Sequence, residues 1–399
     1  MKTRWQTKSL GDVAEVSAGN SAPQVERLFA GGTHPFFRTS DAGRIRFGNI
    51  YEATDYLNDD GIKRLRRFPK DTILFPKSGA STFLNHRVML GVEGFVSSHL
   101  ATIVADKTQI DPRFLLYFLT TISAQDMIQD HAYPSLNLPC IAGIRVLVPP
   151  LPEQQRIVGI LDEAFEGIAT AKANAEKNLH NARAIFESHL QSVFTQRGEE
   201  WVENSLGSLA SFRNGINYTK NSKGERIKIV GVRNFQKNFS APLDDLDTVT
   251  IDGELSELDS LKQDDILAVR SNGNIELIGR CILVGEVTEK ISHSGFTIRI
   301  RLSKGEVLPR YLCHFMKSSS SRKRLTDGGI GTNIKSLNQG MLSALAIPFP
   351  PISVQKVFVE KLESLSDETQ RLESIYKQKL DALEALKKSL LHQAFTGNL

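Results

Sequence analysis

Basic side chains gather in short runs between apolar segments in the first half of the chain. The run IKRLRRFPK at 62–70 places five cations within nine residues, and FPKSG follows at 75–79. Lysine and arginine neutralise phosphates, and arginine, serine and carboxamide groups also bind the edges of bases. These residue types make candidate contacts to nucleic acid, although an ordinary solvated face explains any single run equally well. The candidates are Arg38, Lys63, Arg64, Arg66, Arg67, Lys70, Lys77 and Ser78.

The second half of the chain carries a similar set that is richer in carboxamides. The segment VRSNGN at 269–274 surrounds a glycine turn with an arginine, a serine and two asparagines. Arginine forks fit guanine N7 and O6, and asparagine fits adenine N6 and N7. FRNGINYTK at 212–220 and SSSSRKRL at 318–325 add further polar and basic groups. The candidates are Asn217, Tyr218, Lys220, Arg233, Arg270, Ser271, Asn272, Asn274, Arg322, Lys323 and Arg324.

Motifs that would indicate a catalytic centre are missing from the sequence. An adenine methyltransferase needs an Asn/Asp-Pro-Pro-aromatic run for the flipped base, whereas the Pro-Pro pairs here lie in LVPPL and PFPPI. The glycines of DGGIGTN at 327–333 precede no convincing helix, so we interpret them as a flexible loop. The sequence has no G-x-x-x-x-G-K-[ST] phosphate loop, and its histidines show no metal-binding spacing. We therefore expect a non-catalytic chain that binds no cofactor and no metal.

Composition indicates a globular protein with more than one domain. The chain has 399 residues, too many for one ordinary core and enough for two domains with connecting elements. Hydrophobic residues make up 40% and charged residues 24%, which excludes an intrinsically disordered chain. The three cysteines are far apart, and we find neither a signal peptide nor an apolar run long enough for a bilayer. We expect a cytoplasmic location.

An internal repeat divides the chain into two similar halves. Phe-Thr recurs at 194–195 and 395–396, both times at the end of an apolar-periodic segment. DTILFPKSG at 71–79 aligns with DDILAVRSN at 264–272, so one turn follows the same Asp-x-Ile-Leu strand in both copies with different residues. We hypothesise that these two turns read different DNA words. The other matched pairs, all in the same order, are Pro-Pro at 149–150 and 350–351, SLN at 135–137 and 336–338, and Trp-x-x-x-Ser-Leu-Gly at 5–11 and 201–207.

Each half ends in a segment with helical periodicity, over 153–197 and 352–399. Apolar residues recur there every three or four positions, which predicts two helices of about 45 residues and roughly 65–70 Å. Apolar stripes of that length need a cover, so we expect the two helices to pack on each other in antiparallel fashion. The alternative is that each helix packs on its own domain. The blocks at 1–152 and 198–351 show short β-rich segments before a late helical pattern, which predicts α+β domains.

The segment SLN, followed by IRVLVPPLPEQQRIVGILDEAFEGI and a helix ending in ESHLQSVFTQRG, resembles the specificity subunit of type I restriction-modification systems. The resemblance implies two target recognition domains, at 1–152 and 198–351. It also implies two spacer helices, at 153–197 and 352–399, forming an antiparallel coiled coil with pseudo-twofold symmetry. Such a chain is expected to recognise a bipartite, asymmetric DNA site.

The resemblance also implies partners. These are double-stranded DNA, two modification subunits that bring S-adenosylmethionine, and two restriction subunits that use ATP and Mg²⁺. The expected contacts to modification subunits are Glu153, Gln154, Gln155, Arg156, Gln355 and Lys356. A coiled-coil scaffold protein without DNA specificity is an alternative, as is a single-chain restriction-modification enzyme, which would need methyltransferase motifs.

Overall fold

The computed structural model describes residues 5–128, 134–235, 238–326 and 336–399. The chain divides into two compact units. Unit 1 comprises Met1–Ala175 and Lys379–Leu399, and unit 2 comprises Glu176–Gln378. Each unit therefore contains part of both long helices.

Unit 1 opens and closes its globular part with a two-stranded pair and continues into the first long helix. Its elements are β1 Gln6–Ser9, α1 Leu10–Val13, β2 Ala14–Ala18, β3 His34–Phe37, α2 Thr39–Ile45, β4 Phe47–Ile50, β5 Asp55–Leu57, β6 Ile73–Pro76, β7 Arg87–Leu90, β8 Phe95–Val96, β9 Leu100–Ala105, α3 Pro112–Thr120, α4 Leu138–Ala142, β10 Arg145–Val148 and α5 Leu151–Thr195.

Unit 2 has nearly the same order of elements. They are β11 Val202–Ser205, α6 Leu206–Leu209, β12 Ala210–Asn214, β13 Arg226–Val230, β14 Asp247–Thr250, β15 Ile266–Val269, β16 Cys281–Leu283, β17 Ile291–His293, β18 Thr297–Leu302, α7 Pro309–Lys317, α8 Ser319–Thr326, α9 Gln339–Ala344, β19 Ala346–Phe349 and α10 Ile352–Thr396. Short 3₁₀ helices occur at Glu26–Leu28, Ala80–Leu84, Gln125–Met127, Val232–Asn234 and Ile275–Leu277.

The sheets of the two units share one strand order, to which unit 1 adds β4 as a fifth strand of its larger sheet. The larger sheet has the order β2-β9-β6-β7-β4 in unit 1 and β12-β18-β15-β16 in unit 2. A smaller sheet has the order β5-β3-β8 in unit 1 and β14-β13-β17 in unit 2. In each smaller sheet the central strand pairs antiparallel with one neighbour and parallel with the other. The pairs β1–β10 and β11–β19 are antiparallel.

The central strands are buried on both faces, which explains their uninterrupted apolar sequence. In β6, Ile73 and Phe75 belong to the core beneath α3, whereas Leu74 belongs to a second core with Phe37 and Val88. Strand β15 divides its residues between two cores in the same way. Because successive side chains of a strand point to opposite faces, such a strand needs an apolar residue at every position.

The repeated Phe-Thr ending of the long helices completes the core of each unit. In unit 1, Phe395 near the end of α10 packs on Phe114 of α3, with ring centroids 5.2 Å apart. In unit 2, Phe194 near the end of α5 packs on Tyr311 of α7 at 5.4 Å. Helix α5 therefore begins after the domain of the first repeat and ends in the core that contains α7. Helix α10 begins after the domain of the second repeat and ends in the core that contains α3.

The long helices run antiparallel within unit 1. Arg156 near the start of α5 donates to the carbonyl oxygen of Leu399 at 2.8 Å. Further along α5, the ring centroid of Phe165 lies 5.1 Å from Lys387 Nζ. In unit 2, Arg183 of α5 forms an ion pair with Glu373 of α10 at 2.8 Å. Residue numbers rise along α5 as those of the contacting residues fall along α10, which is the antiparallel arrangement.

A membrane-spanning segment is not found in the described part of the chain, where no helix combines sufficient length with sufficient apolar character.

Candidate nucleic-acid interface

The two turns that the repeat aligns have the same backbone frame. After β6, Lys77 N donates to His99 O at 3.0 Å, and Leu136 N donates to Lys77 O at 2.8 Å. After β15, Arg270 N donates to the carbonyl of Phe296 at 2.8 Å, and Leu337 N donates to Arg270 O at 2.7 Å. The bridges between residues 78 and 135 and between residues 271 and 336 extend the match. Each turn therefore meets a second loop that lies far away in sequence.

A glycine next to each turn permits a close approach of two chain segments. A Cβ on Gly19 would overlap the carbonyl oxygen of Ser97, and one on Gly215 would overlap that of Ser294. Gly215 N donates to Thr297 O at 3.1 Å, and Gly19 N donates to Leu100 O at 3.1 Å. The end of β2 or β12 can thus lie against the loop that contacts the candidate turn only because glycine has no side chain.

The asparagines of the second turn use their side-chain oxygens within the chain. Asn272 Oδ1 accepts from Asn274 N at 2.8 Å, and Asn274 Oδ1 accepts from Glu276 N at 3.0 Å. Bidentate reading of adenine needs both the oxygen and the nitrogen of the carboxamide. The nitrogens of both asparagines can donate as the turn stands, whereas a bidentate contact requires the local bond to break.

Arg322 supports this turn. Its Nη2 donates to the carbonyl of Glu276 at 2.9 Å, so the side chain holds the 3₁₀ turn that follows Asn274. The next two residues of α8, Lys323 and Arg324, are exposed. The described part of the chain provides no ion pair for either of these two cations.

Most cations of the 62–70 run lie in exposed ion pairs. Lys63 contacts Asp60 at 2.6 Å, Arg66 contacts Glu15 at 2.7 Å, and Arg67 contacts Glu93 at 2.8 Å. The hydrogen bond from Arg66 lowers the pKa of Glu15 below its ordinary value. Exposed pairs of this kind contribute only about 0–1 kcal/mol, so DNA phosphates can replace the carboxylates.

The other basic candidates differ in their surroundings. Arg38 pairs with Asp55, and Arg233 contacts Asp247 at 2.7 Å. Both arginines occupy the turn that follows the central strand of a smaller sheet. The cations for which the described residues provide no ion pair are Arg64, Lys70, Lys77, Lys220 and Arg270.

The FRNGINYTK segment lies beside the second turn. A Cβ on Gly295 would overlap Asn217 Oδ1, which places the exposed Asn217 over the loop that leads into β18. Tyr218 is 39% exposed, and burial together with the charge of Asp247 raises its pKa. The structure thus brings Asn217 and the turn at 270–274 to one end of unit 2.

Two exposed residues of this region carried no prediction, namely His99 and Phe296. They stand at corresponding places in the two units and lie directly against the aligned turns. Ser78 Oγ lies 2.9 Å from His99 Nδ1. The sequence signal was present, because SSHLATI at 97–103 and SGFTIRI at 294–300 align with an offset close to that of the other repeats.

The prediction that Gln154 and Gln355 contact a partner is wrong. Both side chains are fully buried. Gln154 Oε1 accepts from Asp111 N at 2.7 Å, and its Nε2 donates to Pro149 O at 2.7 Å. Gln355 makes the corresponding bonds, from Leu308 N at 2.8 Å and to a proline carbonyl at 2.8 Å. Both amides lock the start of a long helix to its domain. Gln154 and Gln355 are equivalent in the repeat, because VPPLPEQQ at 148–155 aligns with FPPISVQK at 349–356, and the second copy keeps only this glutamine of the segment after the prolines.

The remaining partner candidates are at the surface. Gln155 and Lys356 are exposed. Glu153 pairs with Arg156 at 2.7 Å, and Arg156 also binds the carbonyl of Leu399. These four residues stay predicted partner contacts.

Metal-ligating side chains do not cluster in the described ranges, where no group of three or more histidines, cysteines or carboxylates could hold an ion. The DGGIGTN segment at 327–333 lies outside the described residues.

A family model described as the type I restriction modification DNA specificity domain matches residues 2–179 and, a second time, residues 198–384. The chain belongs to this type I specificity family. The duplicated match agrees with the similar strand order of the two units, and the predicted membership is confirmed.

Relatives of the specificity family cover most of the chain at low identity. The StySPI specificity subunit of Salmonella potsdam is 24% identical over 388 residues, covering 89% of this chain and 82% of that protein. The MjaVIII specificity subunit of Methanocaldococcus jannaschii is 21% identical over 423 residues, covering 99% of this chain and 93% of the relative.

Two solved structures share the fold. A chain from a study of type I R-M complex assembly and conformational transition gives a TM-score of 0.78 at 15% identity, with 99% of this chain and 98% of that chain covered. The HsdS subunit of Thermoanaerobacter tengcongensis gives 0.63 at 15% identity, with coverage of 99% and 97%. The predicted α+β fold with tandem domains and two long helices is confirmed, as is the role of a DNA-specificity subunit.

Proposed function

We propose that each unit reads one short word of double-stranded DNA, so that the chain recognises a bipartite and asymmetric site. One observation supports this most directly. The turns after β6 and β15 share their backbone hydrogen bonds but present Lys77 in one unit and Arg270 in the other. A constant frame with changed side chains is what two different DNA words require, because base edges are read by side chains and not by the frame.

Cations outside the turns are assigned to the DNA backbone in this proposal. The exposed residues Arg64, Lys70, Lys220, Lys323 and Arg324 have no ion pair within the described ranges, and so they carry charge that phosphates can neutralise. The ion-paired residues Lys63, Arg66, Arg67, Arg38 and Arg233 can join them by exchanging partners. Binding of this kind releases counterions and weakens as salt rises.

The chemistry is assigned to partner subunits. We propose a complex with two modification subunits and two restriction subunits, in which methylation, ATP hydrolysis and cleavage belong to the partners. S-adenosylmethionine, ATP and Mg²⁺ would bind there, since the sequence of this chain has no motif for a methyl donor or a nucleotide phosphate. The complex acts on cellular DNA, which is consistent with a cytoplasmic location.

The long helices are assigned to spacing and docking. The proposed recognition domains are 1–152 and 198–351, and the proposed spacer segments are 153–197 and 352–399. Surface groups at the start of the helices are proposed to contact the modification subunits, namely Glu153, Gln155, Arg156 and Lys356.

Methylation mapping tests the proposal. The chain is co-produced with its modification partner, and methylated adenines in the cellular DNA are located. Two short words separated by unread bases are expected. A variant with Arg270→Ala and Asn272→Ala should relax one word and leave the other intact, whereas Lys63→Ala should weaken binding evenly for all sequences. If no bipartite motif emerges, and the purified complex shows no salt-dependent binding to DNA, the proposed function is refuted.

A further inference from the structure

An exposed phenylalanine, Phe296, lies in the middle of the candidate interface of unit 2. Its side chain is 61% exposed, although the next residue begins the buried strand β18. Three hydrogen bonds fix its backbone. The carbonyl accepts from Arg270 N at 2.8 Å and from Ser271 N at 3.3 Å, and its N–H donates to Ser294 Oγ at 3.3 Å. The ring is therefore presented to solvent from a rigid position.

Hydrogen-bonding residues lie next to Phe296 in the fold. Asn217 lies over Gly295, the residue before Phe296, and Gly295 N donates to Ile216 O at 2.8 Å. Arg270, which is half-buried, is bound to Phe296 through its backbone N–H. An apolar group among donors and acceptors matches the major-groove edge of a thymine-containing base pair, where the C5 methyl stands beside hydrogen-bonding atoms.

The corresponding position of unit 1 carries a different chemistry on the same frame. His99 is exposed, its carbonyl accepts from Lys77 N at 3.0 Å, and its Nδ1 lies 2.9 Å from Ser78 Oγ. Its second ring nitrogen has no protein partner among the described residues. A single exposed apolar residue is ordinary on a protein surface. Here the exposed residue recurs at one structural position in both units, and only its side chain differs.

We propose that Phe296 and His99 are equivalent specificity-determining residues of the two DNA half-sites. Phe296 contacts the C5 methyl of a thymine, and His99 forms a hydrogen bond from its ring to a base edge. This inference rests on the proposed function, because it names which side chains distinguish the two words.

Selection from randomised duplex DNA tests the pair, with the complex of this chain and its modification partner as the binding species. Phe296→Ala should lose a thymine preference at one position of one word, whereas Phe296→Leu should retain it. His99→Ala should change the other word only. Leu258→Ala removes an equally exposed apolar side chain from unit 2, at 64% exposure, and should alter neither word.

Substitution of that thymine by deoxyuridine removes the methyl group alone. We expect binding by the wild-type complex to weaken about 3- to 5-fold, and binding by the Phe296→Ala complex to show no further loss. Thermal melting of each variant establishes that it is folded. The inference fails if a folded Phe296→Ala complex selects both words unchanged, or if deoxyuridine weakens both complexes equally. If the wild-type complex selects no sequence at all, the proposed function fails instead.

Discussion

The buried glutamine at the start of α5 gives the sharpest stability prediction. Gln154 satisfies three backbone groups, since its Oε1 accepts from Asp111 N at 2.7 Å, and its Nε2 donates to Gln109 O at 3.0 Å and Pro149 O at 2.7 Å. Gln154→Ala leaves one buried N–H and two carbonyls without this partner. A buried polar group that loses its partner costs about 1–3 kcal/mol. The bonds join the segment before α3 to the segment before α5, and water replaces them poorly because Gln154 is fully buried.

We expect Gln154→Ala to lower the free energy of unfolding of unit 1 by about 3–5 kcal/mol. At about 2–4 °C per kcal/mol, its melting temperature should fall by about 6–20 °C. The fluorescence of each tryptophan reports on one unit, because Trp5 packs on the unit 1 core and Trp201 lies near Phe358 in unit 2. Denaturant unfolding followed by fluorescence in a Trp201→Phe background therefore reports unit 1, and Trp5→Phe reports unit 2.

Matched variants make this test specific. Gln155→Ala changes the exposed neighbour of Gln154 and should stay within about 0.5 kcal/mol of the parent. Gln355→Ala should destabilise unit 2 to a similar extent while the Trp5 signal keeps its midpoint. An unfolding midpoint of Gln154→Ala equal to that of Gln155→Ala would refute the assignment of the glutamine as a structural lock.

Two further predictions concern unit 2. Burial lowers the pKa values of His293 and His314 to about 3, so the folded state favours neutral imidazoles, and stability is full above about pH 6.5 and declines as the pH falls. Between pH 7 and pH 5, each histidine should lower the free energy of unfolding of unit 2 by about 2 kcal/mol, as measured by Trp201 fluorescence. The His314→Phe variant should lack the contribution of His314. An unfolding midpoint that is independent of pH contradicts this prediction. Gly215→Ala should destabilise unit 2 by about 2 kcal/mol or more, because its Cβ overlaps the carbonyl of Ser294, and a melting temperature within 2 °C of the parent would contradict this close approach.

Elements with a local period or a repeated sequence were predictable. The alternation of three and four between apolar residues indicates the long helices, and the structure has them at Leu151–Thr195 and Ile352–Thr396. The continuous apolar run of β6 and its alignment with β15 placed the two turns at equivalent positions. Such features depend on residues that are neighbours along the chain, so they can be read without knowing the fold.

Features that depend on contacts between distant segments were missed or misread. Gln154 looked like an exposed helix residue, but its amide bonds segments 43 and 45 residues away. Arg66 was predicted as a DNA contact, and its ion pair with Glu15, 51 residues away along the chain, could not be inferred from the sequence. His99 and Phe296 gained their positions only because β9 and β18 bring them against the turns.

The sequence alone therefore determined the duplication, the long helices, the α+β character and the family. Those properties are written in the order and spacing of neighbouring residues. Tertiary structure decided which polar groups remain open to DNA and which are used internally, because burial and hydrogen bonding depend on segments that meet only after folding.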